Sequence, residues 1–125
     1  MLIDTDVLIW YMRGNMKAFN LIEQIEGFSI SVVTYIELVQ GLRNKQELTE
    51  LRKALQQWKA NILYVNEEIS AKAMFYVERH YLSHALKLAD ALIAATAIVN
   101  GITLLTANDK HYKMIKELTL KQFRP

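Results

Sequence analysis

The sequence contains no cysteine and only one proline, Pro125 at its end. Without cysteine there are no disulfides, thiolate zinc sites or cysteine nucleophiles, and a cytoplasmic location is the expectation. Without internal proline, repeats or low-complexity runs there is no sign of a linker, so residues 1–125 read as a single domain. Long hydrophobic runs are also missing. The most apolar window, LADALIAATAIVNG, offers about a dozen residues where a spanning helix needs roughly 20, so it reads as a core helix and no membrane association is expected. No basic region leads into an apolar stretch with a cleavage site, which argues against a signal peptide. Neither sign of charge predominates: with 15 Lys and Arg against 13 Asp and Glu, a net charge of +2 permits nucleic-acid binding without specifying it. Gly-rich phosphate loops and a serine in a nucleophile elbow are absent, which removes NTPase and hydrolase-triad readings.

What is present is a core-forming composition, 52% hydrophobic with 22% charged residues, in a chain long enough to bury about two-thirds of its unfolded surface. Short β-branched runs at 1–3, 28–31, 62–65 and 102–106, with a weaker one at 119–121, alternate with helical periodicity. The helices are expected at 7–13, 16–26, 33–42, 46–59, 67–81, 86–100 and 110–117. Gly14, Gly27, Gly41 and Gly101 each follow a helical stretch, where a cap favours positive φ. Such alternation predicts a parallel sheet of four or five strands between helical layers, a three-layer α/β/α domain, with its ligand crevice beyond the carboxyl ends of the strands.

Against this frame the acids are misplaced for solvated charges. Asp4 in LIDTDVLI, Glu37 in TYIELVQG, Asp90 in LADALIAAT and Asp109 in LLTANDKHY each lie inside or at the end of an apolar stretch. Brought together, they would repel by about 3 kcal/mol per pair at ~5 Å and an effective dielectric near 20. A divalent cation would remove that repulsion. Topology puts Asp4 and Asp109 at the carboxyl edge. Glu37 falls near it if Thr34 caps its helix, and Asp90 does so if the HYLSHALK segment crosses over. The alternatives are local: Asp4 and Asp6 can cap the helix beginning near Val7, Asn108 or Asp109 the last helix, and Lys87 can pair with Asp90. Hard oxygen ligands would select Mg2+ or Mn2+. His80 and His84 have i, i+4 spacing, but no HExxH motif surrounds them and their neighbours are polar, so zinc is disfavoured there. The remaining chemistry is hydrolysis of a phosphate ester, with Arg13, Arg43, Lys45 and Lys110 as candidate polymer contacts and His111 near the acid edge.

The segments DTDVLIWYMRG, ISVVTYIELVQGL and LADALIAATAIVNGITLLTANDKHY, in this order and spacing, resemble PIN-domain ribonucleases, and the compact length resembles the VapC-type toxins of prokaryotic toxin-antitoxin pairs. The resemblance runs end to end. It implies a PIN-like α/β/α fold, a Mg2+- or Mn2+-dependent endoribonuclease leaving a 5'-phosphate and a 3'-hydroxyl, and a homodimer. It also implies a cognate small antitoxin that binds DNA, with larger toxin-antitoxin assemblies and a cytoplasmic setting. Asp4, Glu37 and Asp90 match the family's metal-ligating acids. Asp6 stands where many relatives have asparagine or serine, and is expected as an auxiliary ligand. The fourth acidic position falls on Asn108 or Asp109, with Asp109 favoured for its charge, and Thr106 matches the hydroxyl that helps position water or phosphate.

Two surfaces are open in meaning. Leu48, Leu51, Leu55 and Trp58 form one stripe of ELTELRKALQQW that can face the core or a partner, and Trp10, Tyr11 and Met12 could line a groove for an amphipathic antitoxin helix. Two rival functions remain. A phospho-accepting receiver domain needs an aspartate closing a central strand, and ILYVNEE offers asparagine and glutamate instead. The other is a non-catalytic module with structural acids.

Overall fold

The computed structural model describes residues 1–83 and 85–125; His84, expected at metal-ligand spacing from His80, lies outside the described residues. Each strand is only two or three residues long: β1 (Leu2–Ile3), β2 (Ser29–Ser31), β3 (Asn61–Leu63), β4 (Leu104–Thr106) and β5 (Leu120–Gln122). They form one sheet in the order β3-β2-β1-β4-β5, with every pair parallel. The weak run near 119–121 is therefore a true edge strand, with Thr106 in register with Gln122.

Among the described residues six α-helices cover the sheet: α1 (Thr5–Met12), α2 (Met16–Gln24), α3 (Val32–Gln40), α4 (Lys45–Gln57), α5 (Glu67–His80) and α6 (Leu88–Val99). Asparagine side chains cap three of them, with Asn15, Asn44 and Asn66 each accepting from the backbone N–H three residues on. Alternation along the strands splits the core into two layers. Leu2 and Leu104 face Ile69, Ala73, Ala94 and Ile115 on the α5 and α6 side. Ile3, Ile30 and Leu105 face Leu8, Ile22, Leu51, Leu55 and Trp58 on the other side. Thus Leu51, Leu55 and Trp58 of the α4 stripe pack mainly inward.

Three local expectations are corrected. Residues 110–117 do not form a helix: a 3-10 turn (Asp109–His111) leads into further turns, with Tyr112, Ile115 and Leu118 buried along them. That three-residue spacing of apolar side chains imitates helical periodicity. Helix α3 starts earlier than expected and is capped by Ser31, whose Oγ accepts from the Val33 N–H at 3.0 Å, which frees Thr34 to lie fully buried inside the helix. Gly41 has φ −86°, whereas Gly101 takes +64° as expected of a residue that turns the chain from α6 toward β4.

Candidate active site

The chain runs outward from β1 to β2 and β3, then returns across the sheet to β4 and β5 on the other side of β1. The strand order therefore reverses beside β1, the place where an open parallel sheet leaves a crevice at its carboxyl edge. Asp4 and Thr106 close the two adjoining strands there. The Asp4 N–H still bonds to the Leu105 carbonyl at 2.9 Å, while its Oδ1 accepts from the Thr5 N–H at 2.8 Å and caps α1. Capping and a place in the site are thus both true of Asp4.

Asp4 is only 6% exposed. Its Oδ2 accepts from the Thr106 hydroxyl at 2.8 Å and the Tyr112 hydroxyl at 2.9 Å. Burial first, and then the neighbouring Asp6 charge, push its carboxyl up from 3.8 to about 6 despite these donors. Asp6 accepts from the Ala107 N–H at 3.2 Å and lies 3.4 Å from the Thr106 hydroxyl; burial raises its pKa as well.

Asp90 reaches the same hub from the first turn of α6. Its Oδ1 lies 3.5 Å from the Tyr112 hydroxyl that also touches Asp4. Its Oδ2 accepts from the Lys87 backbone N–H at 3.3 Å and faces His111 Nδ1 at 3.4 Å, so the side chain beside it is the His111 ring and not that of Lys87, the local alternative. Glu37, in the second turn of α3, accepts from the Thr5 hydroxyl at 2.7 Å, and Thr5 in turn contacts Thr34 at 2.9 Å. Glu37 is half-buried, and its neighbour Ile36 is exposed.

Asp109 faces other partners. Gln122 donates to it at 3.2 Å and Lys113 pairs with it at 3.3 Å. Asn108 is exposed, with its side-chain amide 3.2 Å from His111 Nε2. Of the basic candidates, Arg13 ends α1 and shares a cleft of about 260 Å³ with Glu37, Ile9 and Met12. Arg43 is paired with Glu47 at 3.0 Å, Lys45 begins α4, and Lys110 is exposed in the 3-10 turn.

The donor set fits a hard divalent cation by its chemistry. All the acids offer carboxylate oxygens, and Asp4 and Asp90 share one hydroxyl as a common neighbour. Among the described residues, no three acids or histidines already stand together as a closed ligand cage. Glu37 in particular is turned onto Thr5, so gathering the acids on one ion requires side-chain rotation. Residue types alone missed Tyr112, Thr5 and Thr34. Tyr112 had one available signal: it stands three residues ahead of Ile115, on the buried side of its segment.

Comparison with known proteins gives the family. Residues 1–117 match the PIN domain. The chain is 33% identical over 123 residues to Ribonuclease VapC1 of Methanocaldococcus jannaschii, covering 96% of this chain and 84% of that protein. It is 34% identical over 121 residues to Ribonuclease VapC10 of Mycobacterium tuberculosis, covering 94% and 89% of the two. Among solved structures, a toxin-antitoxin complex from Klebsiella pneumoniae aligns with TM-score 0.78 and 26% identity, over 99% of this chain and 98% of that one. VapBC2 from Rickettsia felis, bound to a DNA fragment from its promoter, aligns with TM-score 0.82 and 20% identity over 98% and 97%, a likeness of fold. No helix among the described residues is long and apolar enough to cross a membrane. The chain belongs to the PIN domain family and, within it, to the VapC type.

Proposed function

We propose that this protein is a divalent-metal-dependent endoribonuclease, the toxin of a toxin-antitoxin pair. The observation that carries the reading is the linkage of Asp4, Asp6 and Asp90 through Thr106 and Tyr112 at the crevice beside β1, with Glu37 joined through Thr5. Support for the substrate class comes from relatives named as ribonucleases. A receiver-type function has no support from these matches.

In this reading Asp4 and Asp90 would hold Mg2+ or Mn2+, with Glu37 as the third acid of the set. When bound, the ion supplies charge neutralisation at the phosphate and a water acidified for attack. The chain's own contribution is orientation. Thr106 fixes Asp4 Oδ2, the Thr5 N–H fixes Oδ1, and the Ala107 N–H holds Asp6 beside them. Asp6 is the fourth acid we place nearest the reaction, with Asp109 at the rim on Lys113 and Gln122, positioned to orient water or serve a second ion. Asn108 and His111 line the same edge. Incubating the protein with purified transfer, ribosomal and messenger RNAs, with and without Mn2+, tests this directly. Cleavage should require the metal and vanish in Asp90→Asn; equal cleavage in metal-free buffer would discard the assignment.

The antitoxin is assigned to the groove between α1 and α4. About 270 Å³ is lined by Tyr11, Met12, Leu51, Ala54 and Trp58, with Glu47 and Glu50 at its side. Tyr11 stacks edge-on against Trp58 at 5.1 Å, giving the groove a firm aromatic wall. Its apolar floor and acidic side suit an amphipathic helix with a basic margin. Ala54→Arg is expected to abolish pull-down of the co-expressed small neighbouring gene product while leaving the monomer fold intact by circular dichroism. We assign a homodimer on the family's pattern, to be checked by light scattering.

A further inference from the structure

Tyr112 enters the site without belonging to its acid pattern. Its side chain is 1% exposed, and its ring packs in the layer formed by Ile69, Ile93, Leu104 and Ile115. The backbone around it is fixed too: the Tyr112 N–H bonds to the Asp109 carbonyl, and the Ile115 N–H to the Tyr112 carbonyl, both at 3.0 Å. The core therefore determines where the hydroxyl lies. A phenylalanine would fill this space equally well, so packing does not explain the oxygen. Burying a hydroxyl is unfavourable unless it is bonded, and the partners here are two carboxylates carried by different elements.

The carboxylate of Asp4 offers about four lone-pair sites. Three donors meet it: the Thr5 N–H on Oδ1, and the Thr106 and Tyr112 hydroxyls on Oδ2. This leaves Oδ1 with open acceptor capacity and removes the freedom of the group to rotate. Tyr112 alone among these donors also reaches Asp90.

We propose that Tyr112 is a positioning residue, whose core-anchored hydroxyl sets the orientation of Asp4 and its spacing from Asp90 and thereby the affinity of this pair for a divalent cation. The proposal rests on the metal-site reading given above. Hydrogen-bond partners that orient a ligand commonly change metal affinity by 10–100-fold when removed. Tyr112→Phe is therefore expected to bind Mn2+ about 10–100-fold more weakly than wild type by isothermal calorimetry.

Tyr76→Phe is the matched control. It deletes another buried tyrosine hydroxyl that donates to a carboxylate, Glu117, which is no member of the acid hub. Its Mn2+ affinity should equal that of wild type. Undiminished binding by folded Tyr112→Phe would overturn the proposal, as would an equal loss in Tyr76→Phe, which would signal general loosening. Absence of Mn2+ binding in wild type would instead overturn the metal-site reading and this proposal with it. Should Tyr112→Phe fail to fold by circular dichroism, Tyr112→Met, a smaller but adaptable apolar side chain without a donor, carries the comparison.

Discussion

Replacing Asp4 by asparagine should reduce Mn2+-dependent RNA cleavage by more than about 100-fold, because even the supporting partners of a metal ligand are worth 10–100-fold. The same change should stabilise the metal-free protein above pH 6. Asparagine caps helices as well as aspartate, and its Oδ1 can still accept from the Thr5 N–H. What it removes is a buried charge. Asp4 has its folded-state pKa raised from 3.8 to about 6, so the folded form binds this proton more tightly than the unfolded chain. The favourable contribution is complete below 3.8, declines as pH rises, and is gone once pH has passed through about 6. The corresponding difference is about 3 kcal/mol. Asp6, also raised, acts in the same direction. Thermal melts in chelator at pH 5 and pH 8 should show wild type losing stability with pH and Asp4→Asn losing less, with the variant roughly 10 °C more stable at pH 8. Mn2+ at a thousand times its Kd should reverse that order, since an ion bound only by the folded wild type then stabilises it by about 4.1 kcal/mol. Identical pH profiles for the two proteins would refute the burial explanation.

The second large effect concerns Thr106. Its side chain is completely buried at the end of β4, where the hydroxyl donates to Asp4 and accepts from the Asn108 N–H at 3.0 Å. Valine has the same shape and neither function. Thr106→Val leaves one backbone N–H and part of a buried carboxylate without partners, at about 1–3 kcal/mol for each neutral group and more for a charged one. A loss of about 3 kcal/mol, or roughly 10 °C in Tm, is expected at pH 8. Thr106→Ser restores the hydroxyl and lacks only a methyl group, so it should recover most of the stability, with about 1 kcal/mol still missing. If serine proves as harmful as valine, packing outweighs hydrogen bonding at this position. Protonating Asp4 weakens the demand for donors, so the valine defect should shrink toward pH 4.

These effects also show what the chain displays openly and what it conceals. The sheet was legible because its strands are short apolar runs separated by capped helices, and even β5 left a trace in TLK at 119–121. Asp4, Glu37 and Asp90 were legible because acids embedded in apolar stretches have no ordinary surface role. The register of TANDKHY was harder to read. Asn108, Asp109, His111 and Tyr112 lie in or beside a 3-10 turn, where a shift of one residue decides whether a side chain meets the acids, the solvent or the core. Asp109 accordingly lies against Lys113 and Gln122, while Tyr112 reaches Asp4. Caps were ambiguous for a related reason. Ser31 and Thr34 are both good capping residues, and only the position where β2 ends selects between them.

The pairing of β1 with β4 places the tip of the first strand against the tip of the fourth, so Asp4 obtains two of its donors from residues 106 and 112. A polypeptide emerging from the ribosome therefore carries its first acid long before it carries the groups that orient it. In this reading the acid stays unoriented during synthesis until the fourth strand and the turn behind it have been made and have docked against the first.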